Sequence, residues 1–236
     1  MVTEIIDTGT GVMNELLDGG YESDIITTIY GPASSGKTTA CLLACISAAK
    51  KEKKSIFIDT EGGVSMSRLK QLCGEEEKKI LPSLLMLRPK TFDEQREMIV
   101  KLPKMINERV GLIVVDTIAT LYRLEAGKSD QVKGINKDLG RQLGVLGMLA
   151  GKHHIPVLVT NQVYSDFAVP GQVKMVGGDI LPYASKCIIE FQKFKTRRKA
   201  IVRKHRSIEE NREKVFMIVE KGIEEVTPRK NFQSDA

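Results

Sequence analysis

The sequence predicts an α/β fold in which helices flank a central, mostly parallel twisted sheet, with a strand-rich edge on the C-terminal side. Three observations indicate this fold. An apolar strand, a glycine-rich loop and a helix follow one another between residues 25 and 50. Apolar runs then alternate with helical segments up to residue 160, as in parallel βαβ units. After residue 187 only strand-like runs follow.

The glycine-rich loop matches the phosphate-binding pattern G-x-x-x-x-G-K-[ST] at every fixed position. Its residues are Gly31, Pro32, Ala33, Ser34, Ser35, Gly36, Lys37 and Thr38. The apolar run Ile25–Tyr30 before it predicts a buried strand, and the alanine-rich run Thr39–Lys50 after it predicts a helix. Because the pattern requires this strand–loop–helix context, a chance glycine turn is the weaker alternative.

This loop predicts binding of ATP and Mg²⁺. Its backbone N–H groups and the start of the helix can surround an anion. We expect Lys37 to reach the β- and γ-phosphates and the Thr38 hydroxyl to ligate Mg²⁺. Thr39 is expected to complete the nucleotide-binding set that begins at Gly31.

The other elements follow from hydrophobic spacing. The predicted strands after the loop are Ser55–Asp59, Leu84–Leu87, Gly111–Asp116, Ile155–Thr160, Cys187–Phe191, Ala200–Val202, Val215–Val219 and Ile223–Val226. The other predicted helices are Val12–Leu17, Met66–Leu72, Phe92–Asn107, which Pro103 should bend or end, and Ile135–Ala150. We expect one domain over residues 1–226, with a short lead-in at 1–24 and a flexible tail at 227–236.

Three polar side chains lie at or just after strand ends, where open α/β sheets bind ligands. Asp116 ends an apolar strand and is expected to hold Mg²⁺ through water; the alternative is a cap on a helix or turn. Glu61 can orient or deprotonate the attacking water, or be a solvated loop acid. Gln162 can bond the γ-phosphate, or cap backbone groups.

One segment makes the chain basic. Its net charge is +6, and eight of its 36 basic residues lie between Lys193 and Arg206 with no acid among them. Without those eight, the 30 acidic residues outnumber the basic ones. This segment predicts sequence-independent binding to DNA phosphates, with a solvated face as the alternative. The predicted contacts are Lys195, Arg197, Arg198, Lys199, Arg203, Lys204, His205 and Arg206. Phe191 and Phe194 could stack on bases but are more typical of a core.

Composition and cysteine spacing indicate the cellular compartment of the protein. The chain of 236 residues is 42% hydrophobic and 28% charged, as in globular proteins. No apolar run is long enough to predict a membrane span, and the N-terminus does not resemble a secretory signal. The four cysteines match no zinc or disulfide spacing, and Cys41 and Cys45 share one helix face as packed thiols. A reducing, cytoplasmic setting is therefore expected.

The motifs in this order resemble the ATPase core of the RecA/RadA recombinases, from about Gly9 to Val226. They are the phosphate loop, Phe57–Gly62, Leu112–Asp116, Ala119–Arg123, Val159–Gln162 and Gly177–Asp179 ahead of Ala184. The resemblance implies a RecA-type fold. It gives Glu61 the water-activating role and makes Gln162 a γ-phosphate sensor joined to a DNA-facing loop. Arg68 matches an arginine that stacks on adenine in that family.

Departures from the recombinases point to a short archaeal paralogue. The sequence contains no Phe-x-x-Ala polymerisation segment, and the loop Arg123–Lys133 has few basic residues. The chain is also expected to lack the helix-hairpin-helix DNA-binding domain of full recombinases. Such paralogues are regarded as accessory proteins of recombination with weak ATPase activity and no strand exchange. The resemblance implies the RadA recombinase and a Holliday-junction nuclease as partners beside DNA.

The sequence is also compatible with two other functions. The chain could be a competent recombinase ATPase, in which single-stranded DNA strongly stimulates hydrolysis. It could also be a RecA-fold signalling ATPase of the KaiC kind that is unrelated to DNA. Turnover with and without DNA separates the first alternative from an accessory role, and neutralising Lys204 and Arg206 tests the second.

Overall fold

A computed structural model of the protein describes residues 4–128, 132–165 and 173–226, apart from the side chains of 165, 173 and 174. The tail predicted at 227–236 lies outside these residues, as do parts of the polar loops on either side of the strand that ends at Asn161.

The strands of the described residues fall close to the predicted ones. They are β1 (Ile5–Ile6), β2 (Tyr21–Glu22), β3 (Ile26–Tyr30), β4 (Lys54–Asp59), β5 (Leu84–Leu87), β6 (Val110–Asp116), β7 (Val157–Asn161), β8 (Val163–Ser165), β9 (Val173–Met175), β10 (Cys187–Phe194), β11 (Arg197–Lys204), β12 (Glu213–Val219) and β13 (Gly222–Glu225). The short strands β1, β2, β8 and β9 were not predicted.

The helices of the described residues surround the sheet. They are α1 (Gly11–Leu16), α2 (Lys37–Lys50), α3 (Met66–Cys73), α4 (Glu77–Ile80), α5 (Phe92–Lys101), α6 (Thr120–Ala126), α7 (Val132–His153) and α8 (Ile180–Ala184). A 3₁₀ turn over Leu102–Lys104 ends α5, so the prediction that Pro103 would bend or end this helix is confirmed.

Nine strands form one sheet in the order β13-β12-β11-β10-β3-β7-β6-β4-β5. The strands from β10 to β5 are parallel, and β11, β12 and β13 continue the sheet as antiparallel neighbours. The prediction of a mostly parallel sheet with a strand-rich C-terminal edge is therefore confirmed. The phosphate loop leaves β3 near the middle of the sheet, beside the ends of β7 and β10.

Both faces of the sheet are covered. Along β6, Leu112 and Val114 belong to one apolar core with α1 and α2, whereas Ile113 and Val115 belong to a second core with α5 and α7. This alternation follows from the two-residue period of a strand. Helices on both faces explain why β6 is apolar throughout.

Three short helices, α4, α6 and α8, were not predicted, and the sequences of α6 and α8 explain why for those two. In α6 only two side chains are buried, so no apolar stripe indicates a helix. In α8 one side chain is buried and Pro182 lies inside the helix, which is typical of a turn. Both helices lie beside polar segments that the sequence pattern assigns to loops.

The cysteines agree with the prediction of packed thiols. Cys41 and Cys45 are buried in α2, and all four cysteines are free. Burial raises the pKa of Cys45 to about 12, so its thiol is protonated at neutral pH. Among the helices of the described residues, none is long and apolar enough to cross a membrane.

Candidate functional site

The phosphate loop is held against the C-terminal sheet. Gly31 has φ 152° and lies so close to β10 that a side chain would overlap the Phe191 carbonyl oxygen. Gly36 has φ 105°, and a Cβ there would lie 2.9 Å from Ile218 Cδ1 of β12. Because other residues rarely adopt such φ values and would clash here, the fixed glycines of the motif have a direct structural reason.

Lys37 points back into the loop. Its Nζ donates to the carbonyl oxygens of Gly31 at 2.8 Å and Pro32 at 2.9 Å. Burial lowers the pKa of Lys37, and the nearby carboxylates of Asp116 and Glu61 oppose that shift. An ammonium group of this kind can meet a phosphate at the floor of the loop.

Thr38 and Asp116 form the donor set that suits Mg²⁺. Thr38 Oγ1 donates to Asp116 Oδ2 at 2.6 Å, and Thr160 Oγ1 donates to Asp116 Oδ1. Burial raises the pKa of Asp116, while the hydrogen bonds from Thr160 and Thr38 oppose the increase. Hydroxyl and carboxylate oxygens are the hard ligands that Mg²⁺ prefers. Asp116 ends β6, and its two partners come from α2 and β7, which are 44 or more residues away in the sequence.

Glu61 lies at the mouth of the same cleft and is oriented by three donors. Its Oε1 accepts from Thr120 Oγ1 at 2.7 Å, from Gln162 Nε2 at 3.0 Å and more weakly from Thr117 Oγ1 at 3.4 Å. Within the described residues, Oε2 has no hydrogen-bond partner. An exposed carboxylate held by one oxygen can present the other to a water molecule.

A buried acid fixes the turn that carries Glu61. Asp59 is 1% exposed and accepts from the backbone N–H groups of Gly63 at 3.1 Å and Val64 at 3.3 Å. Arg88 Nε lies 3.4 Å from the same carboxylate. These contacts hold the segment after β4 in a tight turn, so Glu61 projects towards β7.

The cleft above the loop has a volume of about 570 Å³. Its lining includes Ala33, Ser34, Ser35, Gly36, Lys37, Thr38, Thr39, Glu61, Asp116 and Gln162. The hydroxyl of Ser35 is buried without a hydrogen-bond partner among the described residues. An unused hydroxyl in the loop, the metal-type donor set and the size of the cleft together fit a magnesium nucleotide.

A second, smaller cavity shares residues with this cleft. Its volume is about 220 Å³, and Glu61, Thr120, Asn161 and Gln162 line it. Asn161 Nδ2 donates to the Val176 carbonyl at 2.7 Å, which ties the end of β7 to the segment after β9. Glu61 and Gln162 therefore lie between the phosphate loop and the segment that follows β9.

Arg68 occupies a different place from the other predicted nucleotide residues. Its guanidinium donates to the carbonyl oxygens of Val219 at 2.8 Å and Glu220 at 2.9 Å, in the turn between β12 and β13. It is not among the described residues that line the cleft above the phosphate loop. Stacking on adenine requires these bonds to open, so the role of Arg68 stays a prediction.

The basic segment divides into two parts. Lys193, Lys195 and Arg197 lie at the exposed tip of the β10–β11 hairpin, and in the described residues none of them has an ion-pair partner. Phe194 lies among them and is 54% exposed. Phe191, by contrast, is buried in the core against Phe216, so only Phe194 is placed to meet a base.

The cations nearer the end of the segment bind the protein itself. Lys199 pairs with Glu213 at 3.0 Å and Arg203 with Glu190 at 2.6 Å. Lys204 Nζ donates to the Pro182 carbonyl at 2.7 Å. Arg206 pairs with Glu22 at 2.8 Å and with Asp24 at 3.2 Å. These partners reduce the positive charge that this part of the segment can offer to DNA.

His205 is not presented at the surface. Its side chain is 3% exposed, and Nδ1 accepts from the backbone N–H groups of Ser207 and Ile208, both at 3.1 Å. Burial lowers the pKa of His205, although Glu22 opposes the shift. A buried imidazole favours its neutral form, so this geometry does not favour the phosphate contact predicted for His205, which stays a prediction.

Sequence reasoning missed several members of the site. Thr160 directly precedes the Asn161–Gln162 pair, and Thr120 lies four residues after Asp116. Their closeness in sequence to predicted site residues is the signal that could have identified them. Arg198 was assigned to DNA with the rest of its segment, yet it lines the nucleotide cleft. Strand pairing between β11 and β12, which the sequence does not reveal, brings it there.

Fold and site together define a RecA-type core that carries a phosphate-loop motif. A model of the Rad51 family matches residues 2–226. Similar curated proteins named "DNA repair and recombination protein RadB" come from Methanobrevibacter smithii, at 40% identity over 92% of this chain and 94% of the relative, and from Methanococcoides burtonii, at 42% over 89% and 93%. The chain therefore belongs to the Rad51 family, and within it to the RadB proteins.

A third relative and a solved structure agree. The RadB protein of Methanocaldococcus jannaschii is 41% identical over 90% of this chain and 99% of its own length. A solved structure titled "Crystal structure of the RadB recombinase" is similar with a TM-score of 0.82 and 36% identity, over 94% of this chain and all of that chain. The RecA-type fold expected from the motifs is confirmed.

Proposed function

We propose that this chain is an ATP-binding, DNA-binding accessory protein of homologous recombination and DNA repair, with weak ATPase activity and no strand exchange of its own. The observation that carries the proposal is the Thr38–Asp116 pair beside Lys37 and the Glu61–Gln162 bond in one cleft. RadB relatives named for repair and recombination supply the biological setting.

The cleft is proposed to hold ATP and Mg²⁺. Mg²⁺, when bound, would draw negative charge from the phosphates and so ease attack on the terminal one. Thr38 and Asp116 would hold the metal, Asp116 through water. The backbone N–H groups of Gly31 to Thr39 would surround the phosphates, and Lys37 would neutralise part of their charge.

Slow hydrolysis is expected because the part of the cleft that holds Glu61 is exposed to solvent. Glu61 would orient the attacking water through its second oxygen, and Gln162 would report the γ-phosphate to the loop after β8. Recombinases of the resembled family complete such sites across subunit boundaries in a filament. Glu61 is exposed, so in the single chain this side of the site is open to solvent.

DNA is proposed to bind the basic segment through its phosphates. The unpaired cations at the hairpin tip support this contact best, and Phe194 could stack on an unpaired base. The RadA recombinase and a Holliday-junction nuclease remain proposed protein partners on family resemblance alone. Four free, buried cysteines fit a reducing compartment, so the cytoplasm is the proposed location.

The deciding experiment measures ATP turnover with and without single-stranded DNA, beside a salt titration of DNA binding. We expect slow turnover, little stimulation by DNA, and DNA affinity that falls steeply with salt. Strong stimulation would instead identify a competent recombinase ATPase. A KaiC-like role would require weak, salt-insensitive DNA binding, and family membership already disfavours it.

Nucleotide binding is tested with Lys37→Ala. Loss of the ammonium group should weaken ATP binding at least tenfold, since a charged group that bonds phosphate is removed. Lys50→Ala is the matched control, because Lys50 lies at the far end of the same helix and pairs with Glu76. Equal ATP affinity of Lys37→Ala and the unaltered chain would refute the phosphate-loop assignment.

A further inference from the structure

Arg198 differs from the other cations of the basic segment because its side chain contacts the phosphate loop. It lines the nucleotide cleft together with Lys37 and Asp116. Its Nη2 is 3.4 Å from the Ser34 carbonyl oxygen, a long and weak hydrogen bond. On β11, Arg198 pairs with Phe216 of β12, whose ring lies beside the glycine that begins α2.

The guanidinium of Arg198 has donors left over. Its Nη1 donates to the Thr196 carbonyl, and its Nε is buried without a hydrogen-bond partner among the described residues. No carboxylate of the described residues forms an ion pair with it. Because the protein encloses Nε, the donors that an incoming anion can meet are those of Nη1 and Nη2. Each of these groups makes one bond to a neutral carbonyl oxygen and keeps a second N–H.

Two other arginines near Arg198 are neutralised by carboxylates of the protein, whereas Arg197 at the exposed hairpin tip is not. Arg203 pairs with Glu190 at 2.6 Å, and Arg212 pairs with Asp18 at 2.6 Å. Arg198 differs from both in pairing only with neutral carbonyl oxygens. Its charge faces a loop whose N–H groups and lysine are suited to an anion.

We propose that Arg198 binds a phosphate group of the nucleoside triphosphate, from the C-terminal sheet of the same chain that carries the phosphate loop. The inference rests on the proposed nucleotide binding and adds a residue to it. A guanidinium carries a permanent positive charge and presents N–H donors that can bond a phosphate oxygen. The assignment moves Arg198 from the DNA contacts to the nucleotide contacts.

The competing explanation is that Arg198 only supports the loop through Ser34. Two substitutions separate the explanations. Arg198→Lys keeps the charge, and Arg198→Gln keeps amide donors for a carbonyl oxygen but has no charge. Arg109→Gln is the control, because Arg109 is exposed and precedes β6 at the opposite end of the sheet. Displacement of a fluorescent ATP analogue by ATP gives the affinities, and thermal unfolding without nucleotide confirms the fold of each variant.

We expect Arg198→Gln to weaken ATP binding about tenfold, the effect of one charge-assisted bond, while Arg198→Lys keeps most of the affinity. Affinity of Arg198→Gln within about twofold of the unaltered chain would overturn the inference. So would equal losses in both variants, because the effect would then follow side-chain shape and not charge. If the unaltered chain itself binds no ATP, the proposed function fails with it.

A measurement on the unaltered chain does not depend on how the variants fold. Phenylglyoxal modifies accessible arginines, and peptide mapping reports each position separately. Mg²⁺–ATP should slow the modification of Arg198 and leave Arg109 unchanged, whereas adenosine, which has no phosphate, should protect neither. Equal modification of Arg198 with and without ATP, under conditions in which ATP is shown to bind, would overturn the inference.

Discussion

At the scale of single residues, Asp116 is a buried carboxylate whose desolvation is only partly compensated. It is 5% exposed, and burial raises its pKa although two threonine hydroxyls donate to it. Desolvation of a carboxylate is costly, and the hydrogen bonds and the nearby Lys37 compensate for it only in part. Bound Mg²⁺ would add to this compensation, so the residue proposed to hold the metal also destabilises the fold without it.

Replacement of this charge predicts a pH-dependent gain in stability. A raised pKa means that the native state keeps the proton to higher pH than the unfolded state, so stability falls as the pH rises from the ordinary value of 3.8 through the raised one. Asp116→Asn removes this loss; its amide oxygen can accept from one threonine hydroxyl, and its NH₂ group can donate to the other. Without Mg²⁺ or nucleotide, the variant should therefore unfold at a higher temperature than the unaltered chain at neutral pH.

The comparison is made by thermal unfolding from about pH 4 to about pH 8, where the difference should shrink towards the acid end. Affinity for Mg²⁺–ATP should fall by about 10–100-fold in the same variant. A difference in unfolding temperature that stays constant with pH would show that Asp116 is not the titrating group.

Glu61 allows a separate prediction about catalysis. Glu61→Gln keeps an oxygen that can accept from Thr120 and Gln162 but removes the basic carboxylate. Hydrolysis should slow about 100-fold or more, while ATP affinity changes by less than about threefold. Single-turnover hydrolysis and nucleotide titration measure the two quantities. Glu76→Gln, on an exposed carboxylate that pairs with Lys50, is the control, and an unchanged rate in Glu61→Gln would exclude its role as base.

The sequence indicates the central site residues for a local reason. The glycines, Lys37 and Thr38 lie in one continuous motif, and Asp116 ends an apolar strand. Thr160 and Arg198 could not be assigned in this way, since their roles depend on which strands are neighbours. A threonine inside a strand looks the same in sequence whether or not a buried carboxylate lies beside it.

At the scale of elements, the β10–β11 hairpin separates free charge from paired charge. Its tip carries Lys193, Lys195 and Arg197, whereas its far end is bonded to Glu190, Glu22 and Asp24. Long-range electrostatic attraction depends on net charge, so paired cations contribute less to it than unpaired ones. The tip should therefore dominate DNA binding, although composition alone weights all eight cations equally.

Charge reversal at the tip tests this division. A triple variant carries Lys193→Glu, Lys195→Glu and Arg197→Glu. Its DNA affinity should be lower by the same factor for all DNA sequences. The slope of log affinity against log salt concentration should fall by up to about 3, roughly 0.9 for each lost phosphate contact. Filter binding or fluorescence anisotropy at several salt concentrations gives the slope. The control reverses three exposed lysines outside the segment, Lys78, Lys79 and Lys104.

A comparison within the hairpin makes the test sharper. Arg206→Gln should lower the unfolding temperature, because Glu22 is nearly buried and would lose its ion pair, and should affect DNA affinity less than the tip reversal. If Arg206→Gln lost more DNA affinity than the charge reversal at the tip, the main DNA contact would lie at the Arg206 end of the segment.

Element prediction succeeded where hydrophobic spacing was strong. The stripe of Leu139, Leu143, Leu146 and Leu149 identified α7, and all four side chains are buried. The pattern does not reveal that β10 pairs in parallel with β3 while β11 and β12 turn back. Pairing is a long-range property, and it decides that the basic hairpin lies beside the phosphate loop.

At the scale of the whole molecule, one sheet connects the two proposed binding sites. The phosphate loop touches β10 at Gly31 and β12 at Gly36, and Arg198 reaches it from β11. The same β10–β11 hairpin carries the exposed basic tip. A ligand that engages Arg198 would therefore act on the element that is proposed to meet DNA.

This connection predicts reciprocal coupling between nucleotide and DNA. A non-hydrolysable ATP analogue with Mg²⁺ should change DNA affinity by about fivefold or more, and DNA should change affinity for the analogue by the same factor, as linkage requires. Anisotropy of labelled DNA and of labelled nucleotide measures both. Arg198→Gln, studied at saturating nucleotide, should reduce the coupling towards onefold, whereas Arg109→Gln should preserve it. Equal DNA affinity with and without the analogue would show that the hairpin does not transmit the state of the cleft.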